Sequence, residues 1–150
     1  MRFTTEEVAA ATAGEVFGRP TEVDGATIDS RLVLPGQLFV PIVAERDGHD
    51  FIGAAVAAGA SAYLTSDLIG AGTAIRVADT RAALSDLGRA AREQLGDRVI
   101  GVTGSVGKTS LKDLLASATA TTFATTASMG SFNNELGVPL TLVNAPDGTE

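Results

Sequence analysis

The chain has 150 residues, 45% of them hydrophobic, and a formal net charge of -7 from 18 acidic and 11 basic side chains. That length suits one domain, or one small domain and part of another, and the acidic balance argues against a nucleic-acid surface, where basic residues cluster. With no cysteine and His49 as the single histidine, disulfides, thiol–zinc sites and histidine-rich metal clusters are excluded.

The first seven residues are polar and carry two acids, Glu6 and Glu7, which is not how a signal peptide begins. Thr4 followed by Glu7 predicts a capping box and a short helix over residues 8–11, ending near Gly14. Residues 26–31 read as a strand entering a polar turn. Pro35-Gly36 marks a turn, and residues 37–43 read as a second strand. Pro41 removes a backbone donor, which predicts an edge or bulge at that strand end. Asp50 is the expected cap of a helix over residues 51–58, with Gly59 as its stop. The low-charge run 51–66 is broken by Gly53 and Gly59 and is too short and mixed to span a bilayer. Residues 60–64 and 74–77 read as strands. Asp79 or Thr80 then caps a longer helix, in which Ala83, Leu84, Leu87, Ala90, Ala91 and Leu95 recur at helical spacing.

Strand, helix, strand, strand, helix is the order of a small α/β domain, expected over residues 1–95. A second unit is expected over residues 96–150. Its opening residues, 99–102, read as a hydrophobic strand, and a further strand is expected near residues 121–125.

Between those two strands lies Gly104-Ser105-Val106-Gly107-Lys108-Thr109-Ser110, a glycine turn that opens a helix. Glycines let a backbone turn tightly and aim several N–H groups inward, where the positive end of a helix adds to their pull on phosphate oxygens. Lys108 can reach the β- and γ-phosphates of a nucleotide, and the Thr109 hydroxyl can serve Mg²⁺. Leu111, Leu114 and Leu115 give the helix an apolar side for a sheet. The strict phosphate-loop spacing would put glycine at position 102, where this chain has Val102; Gly101 falls one residue early. The alternative to phosphate binding is a glycine turn with a purely structural duty.

Val-Thr-Gly-Ser-x-Gly-Lys-Thr, as it stands at residues 102–109, resembles the phosphate loop of the Mur ligases and their folylpolyglutamate synthetase relatives. Downstream, Asn133-Asn134-Glu135-Leu136-Gly137-Val138-Pro139 resembles the D-alanyl-D-alanine-adding branch of that family. Upstream, Asp29-Ser30-Arg31, Pro35-Gly36-Gln37-Leu38-Phe39-Val40 and Asp47-Gly48-His49-Asp50-Phe51 resemble its amino-terminal domain.

The resemblance implies an α/β fold: a small amino-terminal substrate domain, then the start of a P-loop ATPase central domain. It implies a cytoplasmic, ATP- and Mg²⁺-dependent ligase that acts as a monomer without membrane insertion. ATP would activate the terminal carboxylate of UDP-N-acetylmuramoyl-tripeptide as an acyl phosphate, which the amino group of D-alanyl-D-alanine attacks. Ser30 and Arg31 would contact the UDP part, and the Asp47–His49 loop would lie near the uracil. Lys108 would position the transferred phosphoryl group. Asn133 and Asn134 would serve the active site or cap the following helix.

Plainer readings stay open at each position. Asp29 and Arg31 can form a surface ion pair, and His49 can satisfy loop backbone. Ala44-Glu45-Arg46 departs from the family's glycine-containing loop, which leaves the uracil pocket undefined. The family's remaining catalytic groups lie beyond residue 150, so the chain is expected to be an incomplete and inactive portion of its enzyme. The alternatives are another Mur ligase, such as the third-residue-adding one, and a nucleotide-binding switch without ligase chemistry.

Overall fold

The computed structural model describes residues 1–129 and 135–150. Its elements run β1 (Arg2–Thr4), α1 (Thr5–Thr12), β2 (Glu15–Phe17), β3 (Glu22–Asp24), β4 (Ala26–Thr27) and β5 (Leu38–Phe39), then a 3-10 turn (Gly48–Phe51) and α2 (Ile52–Ala57). β6 (Ala62–Thr65), β7 (Ala74–Arg76), α3 (Thr80–Gln94), α4 (Lys108–Thr119) and α5 (Gly137–Val143) complete the chain.

A five-stranded sheet has the order β2-β7-β6-β5-β4. β4, β5, β6 and β7 are parallel, and β2 closes one edge antiparallel to β7. β1 and β3 form a separate antiparallel pair in which Phe3 faces Val23.

Alternation along the strands sorts their side chains into two layers. Leu38, Val40, Leu64, Ile75 and Val77 lie on one side with residues of α1, α3 and α5. Phe39, Tyr63 and Ala74 lie on the other, against Ala55 and Val56 of α2. The result is a three-layer α/β sandwich. The carboxy-terminal helix is part of it: Leu140, Val143 and Ala145 join the same core as α3.

The capping signals of α1 and α3 are realised. The Thr4 hydroxyl accepts the Glu7 N–H at 3.2 Å, and the Glu7 carboxylate accepts the Thr4 N–H at 2.7 Å. Asp79 caps α3 by accepting the Ala82 N–H at 2.7 Å. Gly59 follows α2 with φ +105°, as its role as a stop requires.

Several expectations need correction. The strand expected over residues 26–31 ends at Thr27, because Asp29 and Thr27 turn the chain: the Thr27 hydroxyl accepts the Asp29 N–H at 3.2 Å. The strand expected over residues 37–43 ends at Phe39 and lies between two neighbours, so Pro41 follows a strand of the sheet interior and marks no edge. Asp47, not Asp50, supplies the cap before α2; its carboxylate accepts the His49 N–H at 2.9 Å. Residues 99–102 and 121–125 are not strands, since no neighbouring strand among the described residues offers them a ladder. The cap position of α5 falls on Leu136.

The outer edge of β4 is covered by one side chain. Asn144, at the end of α5, accepts the Ala26 N–H at 2.9 Å and donates to the Ala26 carbonyl at 2.8 Å. That pairing reproduces what a further strand would offer, and it blunts an exposed edge.

Candidate functional site

Four parallel strands end on one side of the sheet, and open α/β sheets bind ligands beyond those carboxyl ends. β4 leads into Asp29-Ser30-Arg31. β5 leads into the loop that carries Asp47 and His49. β6 leads directly into Ser66, and β7 into the start of α3. The structure therefore brings Ser30, Arg31, Asp47 and His49 to one edge.

The Asp29–Arg31 turn is held from within. Arg31 donates from Nε to Asp29 Oδ1 at 2.9 Å and from Nη2 to Oδ2 at 2.6 Å, a bidentate pair. Its backbone N–H adds a third bond at 3.0 Å. The Arg31 side chain, and then its backbone N–H, hold the Asp29 carboxyl down at about 2, while Asp29 raises the Arg31 guanidinium in return. Arg31 is 85% exposed, so its outer face is open to a ligand. The half-buried Ser30 hydroxyl has no hydrogen-bond partner among the described residues.

His49 is differently placed. Its side chain is 8% exposed, and both ring nitrogens are in use. Nδ1 lies 2.6 Å from Asp47 Oδ1, and Nε2 accepts the Ser66 backbone N–H at 3.1 Å. The backbone N–H of His49, and then its ring, hold the Asp47 carboxyl below its ordinary value. The Thr80 hydroxyl, at the start of α3, donates to the Pro41 carbonyl at 2.5 Å and fixes the near end of the same loop. Ser66 carried no motif in the sequence and Thr80 stood there only as an alternative helix cap; the fold alone brings them to the loop.

The glycine turn opens α4. Gly104 and Gly107 have φ of +148° and +79°, conformations that suit glycine, and Gly107 holds the cap position immediately before Lys108. Ser105, Val106 and Thr109 are exposed, as is Ser110 in the first helical turn. Lys108 folds back and donates from Nζ to the Gly104 carbonyl. Lys108 and Thr109 also line a cavity of about 830 Å³ between α4 and residues 96–102, with Val99, Phe123 and Val138 on its walls. A loop that presents free N–H groups at a helix start, beside a lysine, has the donor set for phosphate. One threonine hydroxyl there is a hard oxygen donor of the kind Mg²⁺ takes, alongside phosphates and water.

Asn133 and Asn134 lie outside the described residues. Their neighbour Glu135 meets Arg81 of α3 at 3.6 Å, at the end of α3 that follows β7.

Comparison with known proteins agrees with this layout. Residues 102–150 match the family described as Mur ligase middle domain. The UDP-N-acetylmuramoyl-tripeptide–D-alanyl-D-alanine ligase of Bacillus subtilis is 40% identical over 135 residues, covering 87% of this chain and 30% of that enzyme. The crystal structure of MurF from Acinetobacter baumannii superposes with TM-score 0.89 at 33% identity, covering 99% of this chain and 34% of that one. The MurF ligase of Thermotoga maritima in complex with ADP gives TM-score 0.72 at 30% identity over 85% of this chain and 30% of that one. The chain thus spans about a third of the length of the relatives it matches. No helix among the described residues is long and apolar enough to cross a membrane.

Proposed function

Because this chain belongs to the Mur ligase family, matching its D-alanyl-D-alanine-adding members over their amino-terminal and early middle portion, we propose that it serves the same ligation. In the intact enzyme, ATP activates the terminal carboxylate of UDP-N-acetylmuramoyl-tripeptide as an acyl phosphate. The amino group of D-alanyl-D-alanine then attacks, and phosphate leaves. We assign residues 1–95 to the UDP-substrate domain and residues 96–150 to the opening of a P-loop ATP-binding domain. The reaction is cytoplasmic and the enzyme a monomer in this reading.

The observation that carries the proposal is the presence, in one chain, of two sites with complementary chemistry. Arg31 and the free Ser30 hydroxyl stand at the carboxyl edge of a parallel sheet. Gly104 to Thr109 form a glycine turn into a helix that starts with lysine.

Each group has a physical task. Arg31 offers an exposed cation and further N–H donors to a diphosphate, with Asp29 fixing its direction. Ser30 offers a hydroxyl. Lys108 exchanges the Gly104 carbonyl for phosphate oxygens and spreads their charge as the phosphoryl group moves. Thr109 is the Mg²⁺ ligand this segment supplies, and that ion screens phosphate charge when bound. At least one of Asn133 and Asn134 serves the active site, toward the substrate or the γ-phosphate region.

A phosphate-release assay on the full-length enzyme tests the reading. Release should require UDP-N-acetylmuramoyl-tripeptide, ATP and D-alanyl-D-alanine together. Release with diaminopimelate or lysine in place of the dipeptide would assign the third-residue-adding reaction instead. Nucleotide binding with no response to any UDP-muramoyl peptide would leave only a switch module. Lys108→Ala should lower turnover by about a hundredfold or more while UDP-substrate binding persists.

A further inference from the structure

The loop between β5 and α2 closes on itself before it reaches the sheet. The Gly48 N–H donates to the Ile42 carbonyl at 3.1 Å, and Val43 and Asp47 form an isolated antiparallel bridge. A side chain at position 48 would put Cβ 2.5 Å from the Ile42 nitrogen, so the approach requires glycine. A self-closed loop of this kind needs outside anchors to hold one position over the sheet edge. Thr80 provides one, at Pro41. His49 provides the other, at Ser66, 17 residues along the chain.

The donors around the ring determine its protonation. A backbone N–H can only donate, so the Ser66 N–H requires a lone pair on Nε2. The proton of the neutral ring is then on Nδ1, where Asp47 Oδ1 receives it at 2.6 Å. The Ser66 hydroxyl, 3.3 Å from Nε2, sits on the same side. The ring has no remaining lone pair or N–H for a ligand, and its side chain is 8% exposed.

We infer that His49 is a positioning residue, a neutral Nδ1–H imidazole that pins the Asp47–Asp50 loop to the end of β6 and thereby shapes the substrate edge without touching the substrate. This rests on the substrate reading proposed above. It replaces a direct contact between the ring and the uracil.

Two conservative replacements separate the ring's two bonds. His49→Gln can present a carbonyl oxygen near the Nε2 position and keep the acceptor for Ser66. His49→Asn can keep a donor for Asp47 and loses the reach to Ser66. Binding of UDP-N-acetylmuramoyl-tripeptide and of ADP to the full-length protein is measured by calorimetry for both, beside His49→Ala. The alanine and asparagine variants should bind the UDP substrate about tenfold more weakly and the glutamine variant within about threefold of wild type, with ADP affinity unchanged throughout.

Glutamine as weak as alanine would show that the ring itself meets the substrate and would overturn the inference. So would wild-type affinity in all three variants. Nitrogen-15 spectra of the wild-type imidazole give an independent reading, even where the alanine variant does not fold: an Nε2–H tautomer also overturns it. Wild-type protein that fails to bind the UDP substrate would instead overturn the substrate reading itself, and this inference with it.

Discussion

α3 and α4 carry the same kind of pattern and have different fates. Each has leucines at helical spacing. In α3, Leu84, Leu87 and Ala91 are fully buried against the parallel sheet and α5. In α4 no residue is buried, and Leu111 and Leu114 are 48% and 68% exposed. The segments that flank α4 in sequence form no strand: residues 99–102 are irregular, and residues 121–123 are a turn whose Thr122 and Phe123 N–H groups donate to the Thr119 carbonyl. An apolar stripe fixes which side of a helix can be buried. A sheet opposite decides whether it is. The chemistry divides along the same line. Arg31 and His49 are held by bonds to neighbouring groups at the ends of strands, whereas Lys108 rests on the carbonyl of its own exposed turn.

The contrast is tested most strongly by truncating one leucine in each helix. Leu87→Ala should cost about 2–5 kcal/mol, the range for a buried leucine that leaves a cavity. Leu114→Ala should stay within about 0.5 kcal/mol. Urea unfolding of both variants measures the difference; equal costs would mean that α4 is packed as α3 is. Next in size is Gly88→Val, which tests how α5 belongs to the packed region. A Cβ at Gly88 would lie 2.8 Å from both Cα and Cβ of Pro139, so α3 and α5 must separate. A loss of about 1–3 kcal/mol is expected, with amide protection falling in α5 before the sheet. Asn144→Leu follows. It strips the Ala26 N–H and carbonyl of their partners at a half-buried edge, for about 1–2 kcal/mol, and the Ala26 amide should exchange faster.

Local signals in the sequence were reliable where the physics is local. Thr4 with Glu7, and Asp79 ahead of α3, made the bonds their spacing promised. The run of β5, α2, β6, β7 and α3 also followed from periodicity. The three-residue strands β1, β2 and β3 did not, because their pairing depends on partners as distant as Glu15 with Arg76. Residues 99–102 mislead for the same reason, reversed: their β-rich composition cannot supply the missing ladder. At the site, motif residues fell on the loops that leave the carboxyl ends of β4 and β5. They left open whether His49 faces inward or outward, since its deciding partner is a backbone N–H at Ser66 that no side-chain pattern encodes.

The smallest expected effect probes whether the Asp29–Arg31 turn is as fixed as the sheet beneath it. The Asp29 carboxyl is held at about 2, against an ordinary 3.8, chiefly by the Arg31 side chain and then by its backbone N–H. The folded-state value is depressed, so the contribution to stability is fully present above 3.8 and is lost as pH falls through about 2. Both partners face solvent, which screens the charge part of the interaction and keeps the energy small. A carbon-detected titration of the Asp29 side chain should therefore have its midpoint near 2 and drift upward as salt screens the exposed pair. Arg31→Lys removes the fork that grips both carboxylate oxygens and should move the midpoint up toward its ordinary value. Asp29→Asn should flatten the stability profile between 3.8 and 2, by lowering stability above 3.8 where the pair is fully formed and changing it little below 2. A wild-type midpoint at the ordinary value would mean that the Arg31 fork is loose in solution. The Asp29–Arg31 turn would then be no better held than the glycine turn before α4, and the division between the two regions would not extend to their chemistry.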